Sequence, residues 1–303
     1  MKINSNNIYL FPLSLLLSIV MICGVKQTES DFATYRRIIE NGMIENIKAT
    51  EPLAHFVFIE LAQIVNSQLA TSMISIFIYL STIYLIHQIG RRYISMPRSM
   101  QPMLLIAIGL SFPVLSLSQS ILRQGLAVVV MLIMLSLVRN KYTKVLLFSA
   151  AVMFHNSIAI FLPMLFITHI KKTDLKSLFY FSFVTLLYLY LLRYFFINPS
   201  KIDFNMSISD YVSFTYFLIS IMALFALSII NNLKNTWFPY IYLNSLMVLI
   251  VNYDLNNIDR FMYLPWSLVP ILMFKFLKNP IFMFVGTFFW VFINILYSPS
   301  RYY

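Results

Sequence analysis

Residues 121–138 read ILRQGLAVVVMLIMLSLV. One fixed positive charge, Arg123, opens a run that is otherwise almost wholly apolar. A guanidinium cannot shed its proton, and it is costly beside hydrocarbon. As a helix the run is about 27 Å long at 1.5 Å per residue, close to the ~30 Å hydrocarbon core of a bilayer. It therefore reads as a transmembrane helix whose first turn carries a charge in need of a partner.

Composition makes lipid the solvent for the whole chain. Its 303 residues are 60% hydrophobic and 11% charged, with a mean hydropathy of +0.79. Soluble domains carry about a quarter charged residues, and one globule of this size cannot hide so much apolar surface. The 28 Phe and 19 Tyr suit membrane segments and interfacial belts. The net charge of +11 is not a nucleic-acid footprint, because the basic residues sit in short clusters between apolar runs. That is the pattern that orients helices in a bilayer. A single cysteine, Cys23, excludes an internal disulfide framework. The start, MKINSNNIYLFPLSLLLSIVMICGV, resembles a signal peptide. With one lysine and no small-x-small site it reads instead as an uncleaved first span.

Further spans are expected at 8–25, 69–89, 102–118, 177–197, 212–230, 237–253, 261–277 and 280–297. Segment 52–67 carries His55, Glu60, Gln63 and Asn66, too polar for a comfortable span, and reads as an interfacial or re-entrant helix. The basic clusters are Arg91, Arg92 and Arg98, then Arg139, Lys141 and Lys144, then Lys171, Lys172 and Lys176, with Lys234, Lys275 and Lys278 beyond. Placed in the cytoplasm, they put loop 26–51, rich in acid, and loop 198–211 outside. Parity then requires 145–169 to enter and return as a broken or re-entrant pair turning near His155 and Asn156. A single span with a weak orientation signal is the alternative. Broken helices at membrane depth are tolerated where they line a cavity. The expected fold is an all-α polytopic membrane protein, one integral domain over 1–303 with roughly nine to eleven transmembrane helices.

On this topology the costly polar groups gather at the external side: Glu51 in TEPLAHF, Arg123, His155 in FHNS, and Asp254, Asp259 and Arg260 in VNYDLNNIDRFMY. A shared wet cleft accounts for them. Plain alternatives stand beside it. Arg123 can snorkel to headgroups, Arg260 can pair with Asp254 or Asp259, and His155 can bond backbone carbonyls at the break. Glu51 ahead of Pro52 can simply favour a helix N-terminus. No phosphate-binding glycine loop, no zinc-ligand spacing among the four histidines and no G-x-S-x-G elbow occurs. The residues alone stop at a membrane protein with an external polar cleft suited to an anionic ligand, arginine's fork matching phosphate oxygens.

The order DFATYRRI, TEPLAHFVF, LRQGLAVVVMLIML, AAVMFHNSIAIFLPML and IDRFMYLPW resembles the EpsG-like family of polysaccharide polymerases. These are relatives of the Wzy-type enzymes that polymerise O-antigen, capsule or exopolysaccharide repeat units. The likeness runs over residues 24–277, although ESDFATY lacks the glycine usual before the loop aspartate. It implies an undecaprenyl-diphosphate-linked oligosaccharide as donor, at the outer leaflet of the bacterial cytoplasmic membrane, transferred to the non-reducing end of a second lipid-linked unit. Arg123, Gln124 and Arg260, with Asp254 and Asp259, would hold the diphosphate and sugar, and Glu51 or His155 would accept the hydroxyl proton. Diphosphate leaves readily, so neither a metal nor another cofactor is called for. Partners implied by the family are a chain-length regulator and a flippase. A lipid-linked oligosaccharide flippase and an O-antigen ligase-like transferase are the rival readings.

Overall fold

The computed structural model describes residues 40, 51–94, 101–119, 121–169, 174–196, 208–230, 233, 236–251, 258–277, 279, 281–282 and 285–289. The span expected at 8–25 lies outside the described residues, as do all but Glu40 and Glu51 of loop 26–51 and residues 198–207 of the second loop. Every described element is helical. The described residues of Met1–Asn156 and Met273–Tyr303 form one compact unit, and those of Ser157–Leu272 form a second.

The first unit begins with α1 (Pro52–Ile64), whose proline sits in the first turn, where a missing N–H costs nothing. Next comes α2 (Ser67–Tyr93), capped by the Asn66 side chain, which accepts from the Leu69 amide at 2.8 Å. Arg91 and Arg92 close its last turn, where the helix dipole favours cations. The span expected at 102–118 is two helices, α3 (Gln101–Gly109) and α4 (Phe112–Gln119), bent by 56° at the break. The bend has a local cause. Pro113 has no N–H to give the Gly109 carbonyl four residues back, and the Tyr79 hydroxyl of α2 donates there instead, at 3.1 Å.

At the centre of this unit lies α5 (Leu122–Ser136), the helix that Arg123 opens. Most of its residues are buried, as expected of a helix apolar nearly all round, and it packs on α2, α4 and α6 (Lys141–Phe154). A Cβ on Gly125 would press on the Leu117 carbonyl and lie 2.9 Å from Cγ2 of Ile78. Glycine is thus what lets α5 approach α2 and α4 so closely. Helix α6 ends at His155, whose extended backbone (φ −158°, ψ 118°) breaks segment 145–169 where the sequence placed a break.

The second unit begins at Ser157, within a 3-10 helix, Asn156–His169, that carries Pro163 in its interior. The proline again removes a donor. The Ile160 carbonyl, three residues earlier, receives the Asn244 amide at 3.2 Å, and the Ala159 carbonyl receives the Tyr188 hydroxyl at 2.8 Å. Tyr188 lies on α7 (Leu175–Phe196), and α8 (Ile208–Ile230) follows. Asn244 lies on α9 (Phe238–Ile250), the enclosed helix of this unit. The chain continues through α10 (Ile258–Ser267) and α11 (Val269–Phe276), which passes back into the first unit at Met273.

Large apolar side chains cover the outside. Leu69, Met73, Phe77 and Tyr84 form a stripe on α2, and Phe179, Phe183, Leu187 and Tyr190 form another on α7, all of them exposed. Such patches are incompatible with water and suit lipid. Among the described residues two helices, Ser67–Tyr93 and Leu175–Leu192, are long and apolar enough to cross a membrane, and a third crossing results if the bent α3–α4 pair counts as one. Several expected spans are instead shorter apolar helices, among them Leu122–Ser136 and Phe238–Ile250. The architecture is that of an all-α polytopic membrane protein.

Candidate active site

Three helix ends converge in the first unit. Glu51 stands immediately before α1, Arg123 lies in the first turn of α5, and His155 terminates α6. The contacts of α6 with α1 and α5 bring them together, and the three side chains meet directly. An Arg123 guanidinium nitrogen pairs with Oε2 of Glu51. Nδ1 of His155 lies 2.5 Å from Oε1, and the Asn156 amide donates to that same oxygen at 3.4 Å. Arg123 therefore finds its partner 72 residues upstream.

Burial makes this contact more than a surface ion pair. The Glu51 side chain is only 3% exposed, where an unpaired carboxylate would be untenable. Both of its oxygens are met by donors, the condition under which a buried anion is retained. Burial alone pushes the Glu51 carboxyl up; the hydrogen bond from His155, the attraction of that ring and of Arg123, and the Asn156 N–H outweigh it and hold the carboxyl below its ordinary value.

The ionised carboxylate fixes the imidazole tautomer. A carboxylate only accepts, so Nδ1 of His155 carries the proton, and in the neutral ring Nε2 presents a lone pair. The ring is 11% exposed and the Arg123 side chain 28%. Glu51 is thus an anchor wholly occupied by its neighbours, while the two groups that it holds keep access outward. This is the relation of an orienting carboxylate to a general base, with a guanidinium fixed by the same carboxylate.

Other sequence candidates fall differently. Gln124 is buried within α5. His55 is half-buried on α1, and Glu60 is exposed. Asp254 lies outside the described residues, as do the side chains of Asp259 and Arg260, whose backbone opens α10. The contribution of the Asn156 amide was not legible in the sequence, because a backbone donor leaves no residue-type signal. The packing role of Gly125 was signalled only by a lone glycine beside Arg123 and Gln124. Among the described residues no three His, Cys, Asp or Glu side chains gather to hold a metal ion.

No curated protein and no solved structure matches the chain. The model of the EpsG family matches residues 8–303, nearly the whole length, and every element of the arrangement described above lies within that range. A polytopic helical membrane protein whose first unit centres on the LRQG helix, the chain belongs to the EpsG family.

Proposed function

We propose that this protein is a membrane polysaccharide polymerase, a glycosyltransferase that joins undecaprenyl-diphosphate-linked oligosaccharide repeat units at the outer face of the cytoplasmic membrane. Family membership supports the class of activity. The observation that carries the chemistry is the buried Glu51 carboxylate gripping Arg123 and His155 at once.

In the proposed step an acceptor sugar hydroxyl attacks the anomeric carbon of the donor. A new C–O bond forms, the bond from the anomeric carbon to the diphosphate oxygen breaks, and its electron pair leaves on that oxygen. The hydroxyl proton passes to Nε2 of His155, whose ring Glu51 keeps in the right tautomer. Arg123 meets the diphosphate and stabilises the charge developing on the leaving oxygen, an interaction stronger in the transition state than before it. Arg260, at the start of α10, is proposed as a second phosphate contact, with Gln124, Asp254 and Asp259 as further substrate contacts. The leaving group needs no strong acid, so the step as written uses no metal. A chain-length regulator and a flippase are the proposed partners.

The test is a deletion strain complemented with wild type, Arg123→Lys or His155→Gln, with the lipid-linked and surface glycans separated on gels. A polymerase leaves single repeat units when it fails; a flippase leaves none at the surface; a ligase leaves polymer on the carrier. Arg123→Lys keeps the charge and loses the fork, so the ladder should collapse towards single units although the protein is present in the membrane. An unchanged ladder in both variants overturns the proposal.

A further inference from the structure

We infer that the far end of α2 carries a second anion site, built for the headgroup of an anionic phospholipid. A cavity of about 370 Å³ opens there, lined by Gln88, Ile89, Arg91, Arg92, Ser136 and Leu137. It lies at the C-terminal end of α5, some thirteen residues and about 20 Å along that helix from Arg123, and so is distinct from the site above.

Charge and shape agree on the occupant. Arg91 and Arg92 are exposed, and among the described residues neither has a carboxylate partner. Two helices end here, and their exposed carbonyls would repel an anion. Both ends are neutralised from within the protein: Arg92 donates to the Ser136 carbonyl at the end of α5, and Lys275 donates to the Tyr93 carbonyl at the end of α2, each at 2.7 Å. Arg91 then supplies positive charge beyond what the helix ends consume, with Arg139, Lys141 and Lys144 following α5 in sequence. The segments 86–94, 134–145 and 273–277 contain no acidic residue.

The apolar surface distinguishes a lipid from a free anion. Leu69, Met73, Phe77 and Tyr84 are each about half exposed and run down one face of α2. Continuing at the same helical spacing, that face reaches Gln88 and then Arg91 at the cavity. A phosphodiester held by the Arg91 fork would therefore lay its acyl chains along Tyr84 and Phe77, whereas a small phosphate would gain nothing from the stripe.

The test uses the full chain purified in a neutral detergent and melted with phosphatidylglycerol, with phosphatidylcholine, or with inorganic phosphate. Phosphatidylglycerol should raise Tm by several degrees more than phosphatidylcholine does. Arg91→Gln, which leaves the Arg92 and Lys275 caps in place, should lose most of that difference while matching wild type in phosphatidylcholine. Native mass spectra should show retained phosphatidylglycerol adducts falling in parallel. Should Arg91→Gln not fold, Arg91→Lys, which keeps the charge and removes the fork, is read in the same way and should lose part of the difference. Equal effects of the two lipids, or an increment that survives in the variant, overturn the inference. So does inorganic phosphate reproducing the increment, which would assign the cavity to a free anion. None of these readouts depends on polymerisation, so failure here leaves the proposed function untouched, and the reverse holds.

Discussion

Replacing Glu51 with glutamine is the sharpest perturbation of the proposed machinery, because it alters one oxygen and one charge in a site that is nearly closed. The wild-type carboxylate accepts on both sides, from Arg123 on Oε2 and from His155 and Asn156 on Oε1. An amide has one acceptor and one donor. If its oxygen faces His155, its NH2 meets the Arg123 guanidinium, donor against donor. If it is flipped, Nδ1 of His155 must accept, the proton moves to Nε2, and the ring no longer takes a proton from a hydroxyl. One charge-assisted hydrogen bond is lost in either case, a cost of about 2 kcal/mol taken towards the low end of the usual range because Arg123 is 28% exposed. Activity should suffer more than stability does. General-base catalysis contributes roughly 10²- to 10⁴-fold, so Glu51→Gln should slow polymerisation by at least about two orders of magnitude. The assay pairs a thermal melt in detergent with the rate of ladder formation from purified lipid-linked repeat units. A variant that melts a few degrees lower yet polymerises at the wild-type rate would refute the orienting role of Glu51.

Further outcomes follow from the same geometry. The Glu51 carboxyl is held below its ordinary value in the folded chain, so its contribution to stability is present above that ordinary value and is lost as pH falls through the lowered one. Melts between about pH 6 and pH 3 should fall more steeply for wild type than for Glu51→Gln. Gly125→Ala adds a methyl against the Leu117 carbonyl and Ile78. Overpacking of this kind costs about 1–3 kcal/mol, so Tm should drop, and ladder formation should weaken with it because Arg123 is two residues away. Asn244→Leu strips the donor from the buried Ile160 carbonyl that Pro163 leaves open. A loss of about 1–3 kcal/mol in detergent is expected, and Tyr79→Phe should cost about 1 kcal/mol of stability through the Gly109 carbonyl, read as a lower Tm.

What was legible in the sequence followed from solvent and charge. The apolar runs demanded lipid and helices, since every backbone group must be satisfied internally there. The cost of Arg123 demanded a partner, and the break at His155 was readable from a short polar interruption in an apolar run. Helix lengths were less legible. Segment 102–118 has the hydropathy of one straight span, yet Pro113 deprives the Gly109 carbonyl of its donor and the chain bends there, made affordable by a tyrosine on another helix.

By itself, then, the sequence determined the membrane setting, the helical class and the short roll of polar groups that lipid would not tolerate unpaired. Only tertiary structure decided who pairs with whom. Glu51 was legible equally as a base or as a helix-start residue, and Arg123 equally as a headgroup anchor. The packing of α1, α5 and α6 buries the carboxylate so deeply that it has to take both Arg123 and His155. The physical reason is that pairing across 72 and 104 residues leaves no periodic trace along the chain. Local spacing reports which face of a helix a side chain is on, whereas the ends that meet are chosen by how whole helices pack.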